Sequence, residues 1–268
     1  MTILLLAERL RVEERLLIEA LGADGHDARL LTPAEIGGIA FGAPAVPAPD
    51  GALVLARLQP TREASALLWA LETAGWRIVP GAAQMDAFAR RDRLYRDLIR
   101  AGVPVAETIL GWGTEAVLAA VDQVGWPVEL LPLDGSEPGI VVEDREGAEA
   151  VVEHRAVLGR EHVLLVRRAA AKPDERRLLV AGDRIFAARP RGEADWELAP
   201  AIESDGEIAR QVAGALGAPL IDLTYLPDAS GAVTAVMPVL GFRAIQSEDA
   251  DVAAAIASFA TGRGARDA

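Results

Sequence analysis

The sequence predicts an α/β protein of three lobes, the first of them built on a small parallel sheet. Strands alternate with helices over roughly the first 80 residues, the pattern typical of a parallel sheet. A mixed α+β segment follows, and from residue 163 onward strands predominate. The predicted lobes are residues 1–85, 86–162 and 163–268.

The N-terminal lobe is predicted from short apolar runs and from helical spacing. Residues 2–7 form an apolar run too short for a signal peptide or a membrane span, so they are interpreted as a buried strand. Residues 13–21 have helical spacing of apolar residues, and Gly22 is a plausible stop. The other predicted elements are strands at 28–31, 52–56 and 76–79, a helix at 62–74, and a loop at 32–50 that is rich in glycine and proline.

The central lobe starts with a helix predicted over residues 86–101, which Gly102 closes. Its other predicted elements are strands at 105–110, 127–133 and 140–143 and helices at 114–124 and 145–158. For the C-terminal lobe, the patterns predict strands at 163–168, 176–181 and 184–189, a helix at 206–216, a hairpin-like pair at 219–226 and 232–237, and a last helix at 248–260.

Composition excludes several classes of function. The formal charge of −13 argues against nucleic acid, which needs a basic face, and gives no reason to expect an anionic membrane as partner. The chain has no cysteine, which excludes disulfides, thiolate metal sites and a thiol nucleophile. His26, His154 and His162 have no metal-ligand spacing. We expect a cytoplasmic protein.

Four stretches carry a resemblance to a known family, and together they span nearly the whole chain. They are Asp92-Arg93-Leu94 with Ala101 to Pro104, Gly125 to Pro132, Arg177 to Arg191 around Gly182-Asp183, and Asp222-Leu223 with Ala235 to Met237. The sequence thereby resembles ATP-grasp carboxylate–amine ligases of the RimK and LysX type. The resemblance implies an ATP-grasp fold with an N-terminal pre-ATP-grasp lobe, and a reaction in which ATP and Mg²⁺ convert a carboxylate to an acyl phosphate that an amine attacks.

The resemblance also assigns site residues. Arg93 falls where the family has its first ATP lysine, and arginine still binds phosphate. Asp222 matches the first magnesium carboxylate. Arg177 and Arg191 match positions that contact the reacting phosphate or the substrate carboxylate, with a role as salt-bridge partners as the alternative. The phosphate loop corresponds to Gly135, Ser136 and Gly139, but Pro138 stiffens the segment and lacks an N–H, which favours an ordinary hairpin turn as the alternative.

Other family positions have lost their chemistry. The second phosphate lysine is replaced by Leu131, which we interpret as a core residue, and strand alternation places Glu129 on the same face. The magnesium-binding Glu-x-Asn pair is replaced by Ala235 and Met237, which cannot supply oxygen ligands. The chain has one lysine, Lys172, and no asparagine, so a shift of register cannot restore these groups. At the adenine hinge, Arg167 and Arg168 precede two alanines, and we interpret the pair as a solvated strand edge, with an anion contact as the alternative.

Two hypotheses follow. The first is a pseudo-ligase, which keeps the scaffold without turnover and acts as a binding or regulatory subunit, in a homo-oligomer or with an active paralogue. The second is an active ATP- and Mg²⁺-dependent ligase that uses Arg93, Asp222, Arg177 and Arg191 on an amino acid or a small carrier protein. At four positions of the family pattern the chain carries other residues, namely Leu131, Arg168, Ala235 and Met237, and these replacements favour the first hypothesis.

Overall fold

The computed structural model describes residues 1–38, 51–158, 163–170, 175–192, 195–228, 230–247 and 250–262. In these residues the strands form one parallel sheet and two antiparallel sheets, which confirms the predicted α/β class with α+β lobes. Lys172, His162 and most of the predicted loop at 32–50 lie outside the described residues. None of the helices in the described ranges is long and apolar enough to cross a membrane.

The N-terminal lobe contains, in order, β1 (Thr2–Leu6), α1 (Val12–Ala23), β2 (Asp27–Leu31), α2 (Pro33–Ile36), β3 (Leu53–Ala56), α3 (Arg62–Thr73) and β4 (Arg77–Val79). The sheet order is β2-β1-β3-β4, and all pairs are parallel. Leu4 packs in one core with α3, while Leu5 packs in another core with α1. Because both faces of β1 are covered, its sequence is continuously apolar. The short helix α2, inside the predicted loop, is capped by Thr32.

The helix predicted over residues 86–101 is broken in two, α4 (Ala82–Ala89) and α5 (Arg91–Arg100). Arg90 between them is extended, with φ −133° and ψ 100°. The break lets a loop of the central lobe dock on the chain: the amide of Arg91 donates to Leu133 O at 3.0 Å, and that of Gly135 donates to Ala89 O at 2.9 Å. Local helical spacing could not predict a break that is caused by a tertiary contact.

The central lobe contains β5 (Thr108–Trp112), α6 (Thr114–Val124), β6 (Val128–Pro132), β7 (Ile140–Val142), α7 (Arg145–Val157) and β8 (Val163–Arg168). The sheet order is β5-β8-β6-β7, with antiparallel pairs. Strand β8 therefore lies in the middle of this sheet, although the predicted boundary at residue 163 assigns it to the C-terminal lobe. The lobe boundaries themselves stay a prediction.

The C-terminal lobe contains β9 (Arg176–Ala181), β10 (Arg184–Arg191), β11 (Asp195–Leu198), α8 (Glu203–Leu216), β12 (Leu220–Tyr225), β13 (Val233–Met237) and α9 (Val252–Thr261). The sheet order is β11-β10-β9-β12-β13. The predicted hairpin is confirmed as the antiparallel pair β12–β13. Strand β11 was not predicted, because it is short and half exposed.

The N-terminal and C-terminal lobes share one hydrophobic core. Ile3 and Leu5 of β1 pack in the same cluster as Leu179 of β9 and Phe242, which follows β13. Burial of apolar surface between the two lobes therefore stabilises their contact, at about 25 cal/mol per Å².

A buried ion pair reinforces this contact. Glu14, in the first turn of α1, is fully buried and accepts from Arg57 Nε at 3.2 Å and from Arg11 Nη2 at 2.7 Å. The guanidinium of Arg57 also donates to the backbone carbonyls of Val239 and, at 2.5 Å, Leu240. Arg57 lies just after β3, so this residue connects the N-terminal sheet to the C-terminal lobe.

Burial acts on the pKa of Glu14 in one direction and its partners act in the other. Burial raises the pKa, but hydrogen bonds from Arg11 and the charges of Arg57 and Arg11 outweigh it, so the pKa lies below its ordinary value. A lowered native pKa means that the ionised carboxylate stabilises the fold above the pKa of the unfolded chain. This stabilisation is lost as the pH falls through the native pKa.

We predict that Glu14→Gln lowers the free energy of unfolding at pH 7 by about 3 kcal/mol, because it leaves the buried Arg57 without its carboxylate. Urea unfolding at pH 7 and below pH 4.5, the reference pKa of glutamate, measures the change. The difference between the variant and the natural protein should shrink in acid, where the natural carboxylate is also protonated. Glu19→Gln, on the exposed side of α1, is the matched control. Equal effects of the two variants at pH 7 would contradict the prediction.

Candidate functional site

The carboxylate of Asp222, the expected first magnesium ligand, is bound by an arginine. Arg177 on β9 donates from Nε to Asp222 Oδ1 at 2.9 Å and from Nη2 to Oδ2 at 2.6 Å. Its Nη2 also donates to Gly241 O at 2.6 Å, and its guanidinium lies 5.8 Å from the ring centre of Trp196. Both oxygens of Asp222 are thus engaged by one fork-shaped cation, the geometry that makes arginine–carboxylate pairs strong.

The pair is partly buried, with 15% of the Arg177 side chain and 16% of the Asp222 side chain exposed, and this burial acts on both pKa values. Burial raises the pKa of Asp222, and the hydrogen bonds and charge of Arg177 only partly offset it. For Arg177, burial lowers the pKa, but the hydrogen bonds and charge of Asp222 outweigh it and raise the pKa. Burial thus dominates the pKa of Asp222, whereas the pairing dominates the pKa of Arg177, and the guanidinium favours the ionised carboxylate.

The side chains around Asp222 do not fit magnesium. In the β12–β13 pair, Met237 lies directly opposite Asp222, and Ala235 lies opposite Thr224. A thioether and a methyl group supply no oxygen, and magnesium requires a near-octahedral set of oxygen ligands. In the described part of the chain, no group of three or more His, Asp or Glu residues is arranged to hold a metal ion.

Arg93, the expected phosphate ligand, lies in the first turn of α5 and pairs with Asp86 of α4. Its side chain is 42% exposed, so the pair is open to solvent. A surface pair of this kind is weak, about 0–1 kcal/mol, and an anion could compete for the guanidinium. The role of Arg93 stays a prediction.

The segment expected to close on phosphates has its amides engaged within the protein. The N–H of Gly135 donates to Ala89 O at 2.9 Å, that of Ser136 donates to Asp134 Oδ1 at 2.8 Å, and that of Glu137 donates to Asp134 O at 3.3 Å. Pro138 has no N–H to offer. These amides would have to break internal hydrogen bonds before they could bind a phosphate.

Arg91 binds the backbone carbonyls of the same loop. Its guanidinium donates to the carbonyls of Pro132 and Asp134, both at 2.6 Å, and also to the carbonyl of Glu137. Burial lowers the pKa of Arg91. Sequence reasoning missed this residue, because nothing in the pattern Arg90-Arg91-Asp92-Arg93 separates the structural arginine from its neighbours.

The end of β6 confirms that Leu131 is a core residue. Leu131 is buried in a cluster with Phe88, Tyr95 and Leu165. On the neighbouring strand β8, Arg167 is also buried, so its interpretation as a solvated edge residue was wrong. Arg168 is exposed, in agreement with that interpretation.

Arg167 is buried because it has polar partners on three sides. It donates to Glu129 Oε2 from Nε at 2.8 Å and from Nη2 at 2.5 Å, to Tyr95 Oη at 3.3 Å, and to the backbone carbonyl of Thr234. Glu129, which alternation placed on the same face of β6 as Leu131, is therefore neutralised by Arg167. Sequence alone could not show that these two charges meet.

Two open clefts are lined by residues of the described ranges, and Arg177 is the predicted site residue that lines one of them. A cleft of 520 Å³ beside the Arg177–Asp222 pair is lined by Glu13, Arg177, Asp195, Trp196, Gly241, Arg243 and Ala244. A second cleft, of 1020 Å³, is lined by residues that include Arg168, Ala169, Ala170, Glu175 and Arg189. Arg191 is exposed at the end of β10. Of the predicted site residues, the structure brings Arg177 and Asp222 into contact, while neither cleft is lined by Arg93, Gly135, Ser136 or Gly139.

We predict that Gly135→Ala destabilises the protein by about 1–3 kcal/mol, since an added Cβ would lie 1.9 Å from Phe88 O and force the loop off the helix break. Gly214→Ala in α8 is the control: its Cβ meets no atom within 4 Å, and it should raise stability by up to ~1 kcal/mol because alanine favours helix. Thermal or urea unfolding measures both. If Gly135→Ala unfolds with the same free energy as the natural protein, the loop is not docked as described.

No family model matches the chain. The structure is nevertheless similar to solved structures along its whole length. Two of them are at or below 17% identity and show the fold alone: the ATP-grasp ligase PsnB in complex with precursor peptide and AMPPNP (17% identity, TM-score 0.70, 97% of this chain and 96% of that one), and D-alanine–D-alanine ligase from Bacillus anthracis in complex with ATP (13% identity, TM-score 0.70, 99% of this chain and 98% of that one).

A third solved structure is similar in sequence as well. The RimK domain ATP-grasp protein from Sphaerobacter thermophilus is 35% identical, with a TM-score of 0.84, and the match covers 98% of this chain and 100% of that one. The ATP-grasp fold predicted from the four sequence stretches is therefore confirmed. The chain belongs to the ATP-grasp ligase family, in its RimK-like branch.

Proposed function

We propose that this protein is a pseudo-ligase, an ATP-grasp scaffold without turnover that acts as a binding or regulatory subunit in the cytoplasm. The observation that carries the proposal is the Arg177–Asp222 pair: the one carboxylate left at the expected metal position has both oxygens bound by a guanidinium. A metal ion would have to displace a buried, charge-assisted pair and would then find Met237 and Ala235 as neighbours.

The expected nucleotide site supports the proposal in two further places. Leu131 offers an apolar side chain in place of a phosphate-binding lysine, a loss of about 1.5–3 kcal/mol of charge-assisted hydrogen bonding. The loop from Gly135 to Glu137 has its amides engaged internally. Each change alone could be compensated, but all of them affect the binding of one triphosphate.

The alternative is an active ligase. Arg93 is half exposed in the first turn of α5, and its pair with Asp86 is weak enough for a phosphate to compete. The structural neighbours include ligases in complex with AMPPNP and with ATP. In this alternative ATP and Mg²⁺ are the cofactors, and the substrate is an amino acid, a peptide or a small carrier protein.

If the protein is a pseudo-ligase, its partner is a protein, and we propose a second copy of the chain or an intact ATP-grasp paralogue. The net charge of −13 disfavours an acidic carrier as a direct partner, since like charges repel at long range. Native mass spectrometry of the protein, alone and mixed with such a paralogue, tests the partner separately from nucleotide binding.

We predict that ATP and ADP at millimolar concentration, with or without Mg²⁺, do not shift the thermal unfolding midpoint. A nucleotide present at 100 times its dissociation constant would add about 2.7 kcal/mol of stability, which a thermal-shift titration detects easily. D-alanine–D-alanine ligase, measured in the same plate, is the positive control. A clear Mg²⁺-dependent shift in the natural protein would overturn the pseudo-ligase proposal and favour the active ligase.

A further inference from the structure

A buried arginine connects the central lobe to the C-terminal lobe. Arg167 belongs to β8, in the middle of the central sheet, yet it donates to the backbone carbonyl of Thr234 in β13 of the C-terminal sheet. Its side chain is only 7% exposed. Its carboxylate partner, Glu129 on β6, lies in its own lobe, directly opposite it in the β6–β8 pair.

The contact point on the C-terminal lobe is itself part of a hydrogen-bonded group. Tyr95 Oη accepts from Arg167 at 3.3 Å and lies 3.5 Å from Thr234 O. Thr234 Oγ1 donates to Thr224 O and to Glu175 Oε1, both at 3.1 Å. Residues from α5, β8, β12 and β13 thus meet at a single buried polar centre.

Separating the two lobes would be costly at this point. The guanidinium would lose the Thr234 carbonyl, and that carbonyl would lose a charged donor; an unmade hydrogen bond of this kind is expensive for a buried group. The apolar residues beside it act in the same direction, because Leu131 and Leu165 of the central sheet belong to the same core cluster as Leu178 and Leu223 of the C-terminal sheet.

We propose that Arg167, Glu129, Tyr95 and Thr234 form a latch that holds the central lobe closed on the C-terminal lobe without any ligand between them. Any movement of the central lobe away from the C-terminal lobe at this point must first break the contact between Arg167 and Thr234. The latch is independent of the proposed function: in a pseudo-ligase it fixes one closed shape, and in an active ligase it is an autoinhibitory contact that substrate binding has to open.

The test is a distance measurement between the lobes. The chain has no cysteine, so Ala119→Cys on α6 and Gln211→Cys on α8, both exposed, give a unique pair of spin-label sites. Double electron–electron resonance should give one narrow distance distribution for the otherwise natural protein, and a broader and longer one for Arg167→Ala. Ethylguanidinium, added well below denaturing concentrations, should narrow the Arg167→Ala distribution again by filling the vacated place beside Glu129.

Arg57→Ala is the matched control. It removes a similarly buried guanidinium that binds one carboxylate and two carbonyls, but this guanidinium connects the N-terminal lobe to the C-terminal lobe. Its distance distribution between the two labels should stay narrow. An unchanged distribution in folded Arg167→Ala, or equal broadening in both variants, would overturn the latch. Should Arg167→Ala fail to fold, Arg167→Gln, whose polar side chain is shorter, takes its place, and an unchanged distribution there overturns the latch equally.

Discussion

Three consecutive backbone carbonyls, those of Val239, Leu240 and Gly241, are held by two arginines from different lobes. Arg57 of the N-terminal lobe binds the first two, and Arg177 of the C-terminal sheet binds the third. This segment follows β13 and leaves the sheet, so its carbonyls have no strand to pair with, and those of the buried Val239 and Leu240 need donors. The two guanidiniums supply them. The contact between the lobes and the geometry around Asp222 both depend on this arrangement.

The same kind of interaction recurs at three places that the family resemblance assigns to the site. A guanidinium is a permanent cation with several donors in a fixed plane, so it can neutralise a carboxylate and bind carbonyls at once. Arg177 does this for Asp222, Arg167 does it for Glu129, and Arg91 does it for the carbonyls of the loop that begins at Pro132. At the positions that the family resemblance assigns to the metal ligand, the adenine hinge and the phosphate loop, an arginine therefore binds carboxylates or carbonyls of the protein itself.

Part of this could be predicted from residue types alone. Leucine at 131 cannot bind phosphate, and methionine at 237 cannot bind magnesium, in any conformation. These two replacements could therefore be recognised from the sequence without a structure. The α/β class and the β12–β13 hairpin followed from alternation and turn residues. The helix break at Arg90 was not predictable, because the loop that causes it lies more than forty residues further along the chain. The burial of Arg167 was missed for the same reason, since Thr234 is distant in sequence.

The sequence by itself determined the family, most of the elements and the absence of lysine and asparagine from the expected site positions, because these depend on residue identity and local periodicity. The tertiary structure alone decided which arginines are structural. Arg91 and Arg93 are two residues apart, yet one binds buried carbonyls and the other an exposed aspartate. An arginine's role depends on whether carboxylates or carbonyls from distant segments come within hydrogen-bonding distance of it. Only the folded packing of the lobes fixes those distances.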